Sequence, residues 1–239
     1  MHETDPRKAA RIQARKEVRR RLVDLQKTLT EKRVQFHRAY QPIQVGKVKS
    51  RKTIRNCEDR WKIVRDTLDR YDARNMLDLG CAEGYFVRKA GELGYFSVGI
   101  DRDYNRLGLI ESARMIDRSE KSAFTLSSID PDLLARLPVF DVVLCFSIMH
   151  HIIRSNDLDY GIKCLSLMKN ITRKAFLFDM GQTNEESTGW AKKLPYMGSD
   201  PKAWIREFLM GAGFPRCEVV AETDAYRDDV RRYVFRCTV

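Results

Sequence analysis

The stretch MLDLGCAEGYF, residues 76–86, limits the folds open to this chain more than any other segment. Met76, Leu77 and Leu79 are apolar and read as a buried strand interrupted only by Asp78. Gly80 and Gly84 follow, and YFVRKAGEL then returns to helical spacing, with Phe86, Ala90 and Leu93 on one face. Strand, glycine turn and helix in that order form the first turn of a nucleotide-binding unit. Such a turn needs a parallel sheet behind it, and the downstream sequence supplies one. Strands are expected at 75–80, 96–101, 123–127, 140–145 and 175–180, alternating with helices at 84–93, 104–117, 131–136, 157–169 and 201–211. RCEVVAET and RRYVFRCTV read as two final strands joined by DAYRDDV, too short for a helical crossover. The expectation is an α/β fold with a mostly parallel sheet and one antiparallel strand.

The 239 residues divide into two parts by charge. Residues 1–60 hold 18 Lys and Arg against 7 Asp and Glu, which accounts for the whole net charge of +11, and the rest of the chain balances. Residues 7–38 read as one long helix after Pro6, with Val18, Leu22, Leu25 and Leu29 forming a narrow apolar seam for a partner helix or the domain edge. Arg15, Lys16, Arg19, Arg20 and Arg21 crowd its first half. They read either as a solvated face or as an arm that meets RNA or an anionic membrane surface. QPIQVGKVKSRKTIRN (41–56) reads as a linker or capping loop, and Asn56 as the cap of a helix over 57–71 that buries Trp61, Val64 and Leu68. The expected division is therefore a basic helical arm and linker at 1–56 and a catalytic domain at 57–239.

No apolar run approaches the roughly 18 residues of a membrane span. The N-terminus lacks the apolar core of a secretory signal, and Glu3, Asp5 and Glu17 argue against a transit peptide. These features point to the cytoplasm, or to a peripheral position on the inner membrane face. The six cysteines show no CxxC pair and no metal-ligand spacing, so reduced thiols without disulfides, and no structural metal, are expected.

SVGIDRD places Asp101 at the end of the second strand, where a carboxylate can accept both hydroxyls of a ribose. The loop D-x-G-C-A-x-G lacks the G-x-G-x-x-G spacing of hydride enzymes and offers a wide backbone cradle beside an acid, Asp78. With LDLGCAEGYF, VGIDRD, the acid of SSID and FDVVLCFSIMHHI in that order, residues 57–239 resemble the class I S-adenosylmethionine-dependent methyltransferases. That resemblance implies a Rossmann-like methyltransferase fold and S-adenosyl-L-methionine as cofactor. It places Gly80, Ala82 and Gly84 against the methionine portion with Asp78 beside them, Asp101 on the ribose, and Ile129 and Asp130 around the adenine. Ala82 departs from the glycine common at that position, adding a methyl group to the loop.

SIMHHI falls on the carboxyl rim of the sheet, so His150 and His151 are candidates for a general base, or else for rim packing. The segment after the fifth strand interleaves Gln182, Asn184, Glu185 and Glu186 with Trp190 and Tyr196, a mixture that suits a carbohydrate or an ordinary loop. With SIMHHI it resembles methyltransferases that decorate bacterial cell-surface glycans, including O-antigen chain terminators and rhizobial nodulation-factor fucose O-methyltransferases. The acceptor expected from this is a sugar hydroxyl on a glycan or glycolipid. The alternatives are RNA, favoured by the basic arm and opposed by the absence of an amine-holding motif after strand four, and a non-catalytic cofactor-binding partner protein, opposed by the intact glycine loop.

Overall fold

The computed structural model describes residues 6–45, 47–117, 121–225 and 230–239. A helix α1 (Pro6–Phe36) leads into two short ladders, Arg38–Ala39 beside Lys52–Thr53 and Gln44–Val45 beside Val48–Lys49. Then follow α2 (Glu58–Arg70), β1 (Asn75–Leu79), α3 (Tyr85–Glu92), β2 (Phe96–Asp101), α4 (Tyr104–Asp117) and β3 (Ser122–Leu126). The chain continues through α5 (Pro131–Leu134), β4 (Phe140–Phe146), α6 (Met149–Ser155), α7 (Leu158–Asn170), β5 (Thr172–Asp179), α8 (Pro201–Gly211), β6 (Arg216–Asp224) and β7 (Arg231–Thr238). The expected alternation of strands and helices is present, and α6 is an addition that SIMHHI did not reveal.

The main sheet has the order β6-β7-β5-β4-β1-β2-β3, and β7 is antiparallel to both of its neighbours while the others run parallel. The central strands bury both faces, which is why their sequences are continuously apolar. Leu77, Leu79, Val143, Cys145, Phe176 and Phe178 join one core cluster, which also holds residues of α7 and α8. The intervening Met76, Val142, Leu144, Ala175 and Leu177 join a second cluster with Trp61, Val64 and Leu68 of α2. This is the two-residue alternation of a pleated strand. The N-cap of α2 is Cys57 rather than Asn56, whose Oδ1 accepts from Glu58 N at 3.0 Å from one residue earlier.

Two further expectations need correction. The seam Val18, Leu22, Leu25 and Leu29 is exposed and so does not pack on the domain edge, which leaves the partner-helix alternative open, while near the end of α1 Val34 packs with Ala39, Ile43, Leu109 and Ala113. Cys217 and Cys237 form a disulfide, because the β6–β7 register sets them directly opposite each other. Cys57, Cys81, Cys145 and Cys164 are free and buried. Of the segment joining β6 and β7, residues 226–229 lie outside the described residues. Among the described residues, no helix is long and apolar enough to cross a membrane.

Leu77→Ala should lower the unfolding free energy by about 2–5 kcal/mol in urea titration, because it empties part of the central core. Leu25→Ala should stay within about 0.5 kcal/mol, and a loss above about 1 kcal/mol would mean that a partner surface covers the seam.

Candidate active site

The turn after β1 explains its alternating small residues. Gly80, Ala82 and Gly84 all take left-handed backbone, with φ of 80°, 48° and 67°. A β-carbon on Gly80 would collide with the Ile148 side chain, and one on Gly84 with the Phe124 ring. Gly80 N and Cys81 N donate to Ile100 O at 2.8 and 3.1 Å, fastening the loop to β2. Ala82 N donates to Asp101 Oδ2 at 2.8 Å, and Asp103 N to Asp101 Oδ1 at 2.9 Å. Each Asp101 oxygen keeps a further lone pair for a ligand hydroxyl.

The cavity above this loop, about 740 Å³, is lined by Asp78, Gly80, Ala82, Asp101, Ile129, Asp130, His150 and His151 among others. Eight of the nine expected site residues thus line one cavity. Gly84 is not among them; its N–H donates to Cys81 O at 2.7 Å and it turns the chain into α3. Asp130 also caps α5, its Oδ1 accepting from Leu133 N at 2.8 Å.

Asp78 is buried, and its Oδ2 has no hydrogen-bond partner. Burial and the neighbouring Asp101 charge push its pKa up to about 8. An orphaned carboxyl beside a backbone cradle, with a second carboxylate at the end of the next strand, fits a ligand with a cationic amino-acid end and a ribose. The residues present therefore suit S-adenosylmethionine.

His150 is buried, and its Nδ1 accepts from Gly181 N at 3.0 Å. Its neutral ring therefore carries the proton on Nε2 and acts there as a donor. Burial, then the charges of His151, Arg232 and Arg55, hold it well below the usual imidazole range. Trp190 packs on Gly181 and against the His150 ring, with centroids 4.4 Å apart. His151 lies half-buried on the rim, pushed down to about 4 by burial and then by Arg154, Arg102 and Arg232. Both histidines are neutral near pH 7.

Behind them lies a buried charged network that the sequence did not disclose. Arg60 Nε donates to Asp179 Oδ2 at 2.7 Å, and Ser147 Oγ to Asp179 Oδ1 at 2.8 Å. Arg232 donates to both Glu185 oxygens at 2.7 Å and to Ser147 Oγ at 3.0 Å. Glu185 and Gln182, in the segment whose mixture suited a carbohydrate or an ordinary loop, are internal: Gln182 N donates to Glu185 Oε1, and Gln182 Nε2 to Arg231 O. Of that segment, Trp190 reaches the cavity, whereas Tyr196 is 81% exposed away from its lining.

The N-terminal segment supplies the opposite wall. Glu83, buried inside the glycine loop, accepts from Tyr40 N at 2.9 Å and Gln41 N at 3.0 Å. Gln41 Oε1 accepts from Tyr85 N at 3.0 Å. Glu83 was the one legible clue, an acid in a loop otherwise made of small residues. Among the described residues, no group of three or more His, Cys, Asp or Glu is arranged to hold a metal.

Residues 77–170 match the family described as "Methyltransferase domain". The O-antigen chain terminator bifunctional methyltransferase/kinase WbdD of Escherichia coli is 27% identical over 188 residues, covering 76% of this chain and 25% of that protein. Its crystal structure superposes with a TM-score of 0.68 at 22% identity, over 78% of this chain and 40% of that one. A tRNA U34 carboxymethyltransferase of Photobacterium profundum is 31% identical over 116 residues, 48% of this chain and 34% of that protein. The magnesium protoporphyrin IX methyltransferase of Synechocystis with bound SAH shares the fold at a TM-score of 0.56 and 14% identity, over 76% of this chain and 82% of that one. The chain thus spans between a quarter and a third of the length of these two curated relatives. The family match over residues 77–170, with the fold and the glycine cradle, supports a class I S-adenosylmethionine-dependent methyltransferase domain. Its cofactor is S-adenosylmethionine.

A cationic ligand favours the ionised form of Asp78, so binding should release a proton and affinity should rise with pH until about 8. Calorimetry at pH 7 in buffers of different ionisation enthalpy should detect that release in the wild type and not in Asp78→Asn.

Proposed function

We propose that the chain transfers the methyl group of S-adenosylmethionine to a sugar hydroxyl on a glycan or glycolipid. In this reading residues 57–239 form the transferase body and 1–56 a basic arm whose linker helps wall the site. The observation that carries it is one continuous cavity, running from the Gly80 loop to an end lined by Trp190, His150 and His151. An indole beside hydrogen-bonding groups suits a sugar ring, and the likeness to an O-antigen methyltransferase/kinase extends over 76% of the chain.

The bound cofactor supplies an electrophilic methyl group on a sulfonium. This chain's residues fix the acceptor in line with it, which is the larger part of the work in a displacement of this kind. With the cofactor bound, its sulfonium would give up the methyl group to the acceptor oxygen, and His151 would take the hydroxyl proton and pass it to water. His151 suits that role because its neutral ring is free to accept. His150 is a positioning residue, with Nδ1 held by Gly181 and Nε2–H available as a donor.

His151→Ala should lower kcat by about a hundredfold or more while cofactor affinity stays within a few-fold. His150→Ala should reduce stability more than chemistry, read by thermal unfolding. With a base of pKa about 4 rather than the ordinary 6.5, kcat at saturating cofactor should show no inflection near 6.5. It should fall only as acid protonates His151. Full turnover of both variants on a glycan acceptor would overturn the histidine assignment.

RNA is the second reading, favoured by the likeness to a tRNA U34 carboxymethyltransferase and by the charge of α1. Incubation with labelled cofactor and separate glycan, RNA and protein extracts should place the label in glycan; label in RNA alone overturns the sugar reading.

A further inference from the structure

Arg55 and Arg60 stand in the cavity wall with 6% and 5% of their surfaces exposed. Arg55 spends Nε on the Tyr40 hydroxyl at 3.1 Å and Nη1 on Asp224 O at 2.7 Å. Arg60 spends Nε on Asp179. The Nη2 of each is buried without a hydrogen-bond partner. Leaving even one buried charged donor unsatisfied is costly, and two on one cavity wall call for an acceptor that the described residues do not provide.

The charge balance points the same way. Arg232 is matched by Glu185 and Arg60 by Asp179, whereas Arg55 is held by a phenol and a carbonyl and, among the described residues, makes no ion pair, although Asp179 and Glu185 act on it at longer range. Arg102 and Arg154 line the same cavity, so the end beside the histidines carries an excess of positive charge. A neutral sugar would leave that excess uncompensated. The cofactor adds positive charge at its sulfonium and amino group, and brings one carboxylate.

We propose that the acceptor is an anionic sugar, whose phosphate or carboxylate is held by the free Nη2 groups of Arg55 and Arg60 while its reacting hydroxyl lies beside His151. A planar guanidinium suits either oxyanion, and the pairing is charge-assisted. The inference deepens the glycan reading and rests on the acceptor occupying the histidine end of the cavity.

The test uses the full chain saturated with S-adenosylhomocysteine and measures binding of glucose 6-phosphate, glucuronate and glucose by calorimetry. At least one anionic sugar should bind about tenfold or more tightly than glucose, and which of them does so distinguishes phosphate from carboxylate. Arg55→Gln should remove that preference, and Arg55→Lys should restore only part of it, because an ammonium lacks the fork. S-adenosylhomocysteine affinity, measured separately, should stay within a few-fold in both variants, which also reports that they fold. Equal binding of the three sugars, or a preference that survives in both variants, overturns the proposal. A tenfold loss of S-adenosylhomocysteine affinity in Arg55→Lys overturns it too, because the arginines would then serve the cofactor carboxylate. Methyl transfer is not the readout, so a chain that labels RNA alone refutes the glycan reading by a different result.

Discussion

The arrangement depends on Asp179, a fully buried carboxylate at the end of β5. Burial alone would raise its pKa, but Arg60, Arg232 and Arg55, with the Ser147 hydroxyl, outweigh that and hold it below the usual carboxylate range. Through Asp179 and its neighbours, α2, the end of β4, the segment after β5 and strand β7 are tied at one point. Buried ion pairs of this kind add little net stability over apolar packing, yet loss of one partner costs about 3–5 kcal/mol because a charge is left stranded. The network therefore sets position more than it adds stability. It fixes Ser147, whose φ of 58° bends the chain off β4, and so sets where α6 begins and where both histidines stand.

Much of the fold was legible because its signals are local. Leu77, Val143 and Phe176 belong to apolar runs buried on both faces, and the 80–84 turn needs backbone that few residues adopt. The cofactor end shared that advantage, since Asp78, Gly80 and Asp101 sit at strand ends whose positions the pattern dictates. Helix α6 escaped because seven residues carry too little periodicity to separate a short helix from a rim loop. The Cys217–Cys237 pairing escaped because it follows from the β6–β7 register, a relation between distant segments rather than a property of either.

The arginines show the same limit more sharply. Composition assigned the basic excess to an N-terminal arm, and most of α1 is indeed solvated. Arg55 and Arg60 belong by count to that excess but by burial to the cavity, and nothing in their immediate neighbours marks them. A long polar side chain has the same local signature whether its head meets water or an enclosed carboxylate. Gln182 and Glu185 show the opposite case, polar side chains consumed inside the fold while Asn184 and Glu186 between and beside them stay exposed.

The contact of Glu83 with the Tyr40 and Gln41 amides has a thermodynamic meaning. An acid in the middle of the glycine cradle anchors a stretch of chain some forty residues upstream, so the cradle and its roof cannot form separately. Tyr40 and Gln41 line the cavity together with Gly80 and Ala82. A ligand that touches both the cradle and Tyr40–Gln41 would therefore also favour the docked form of that short stretch.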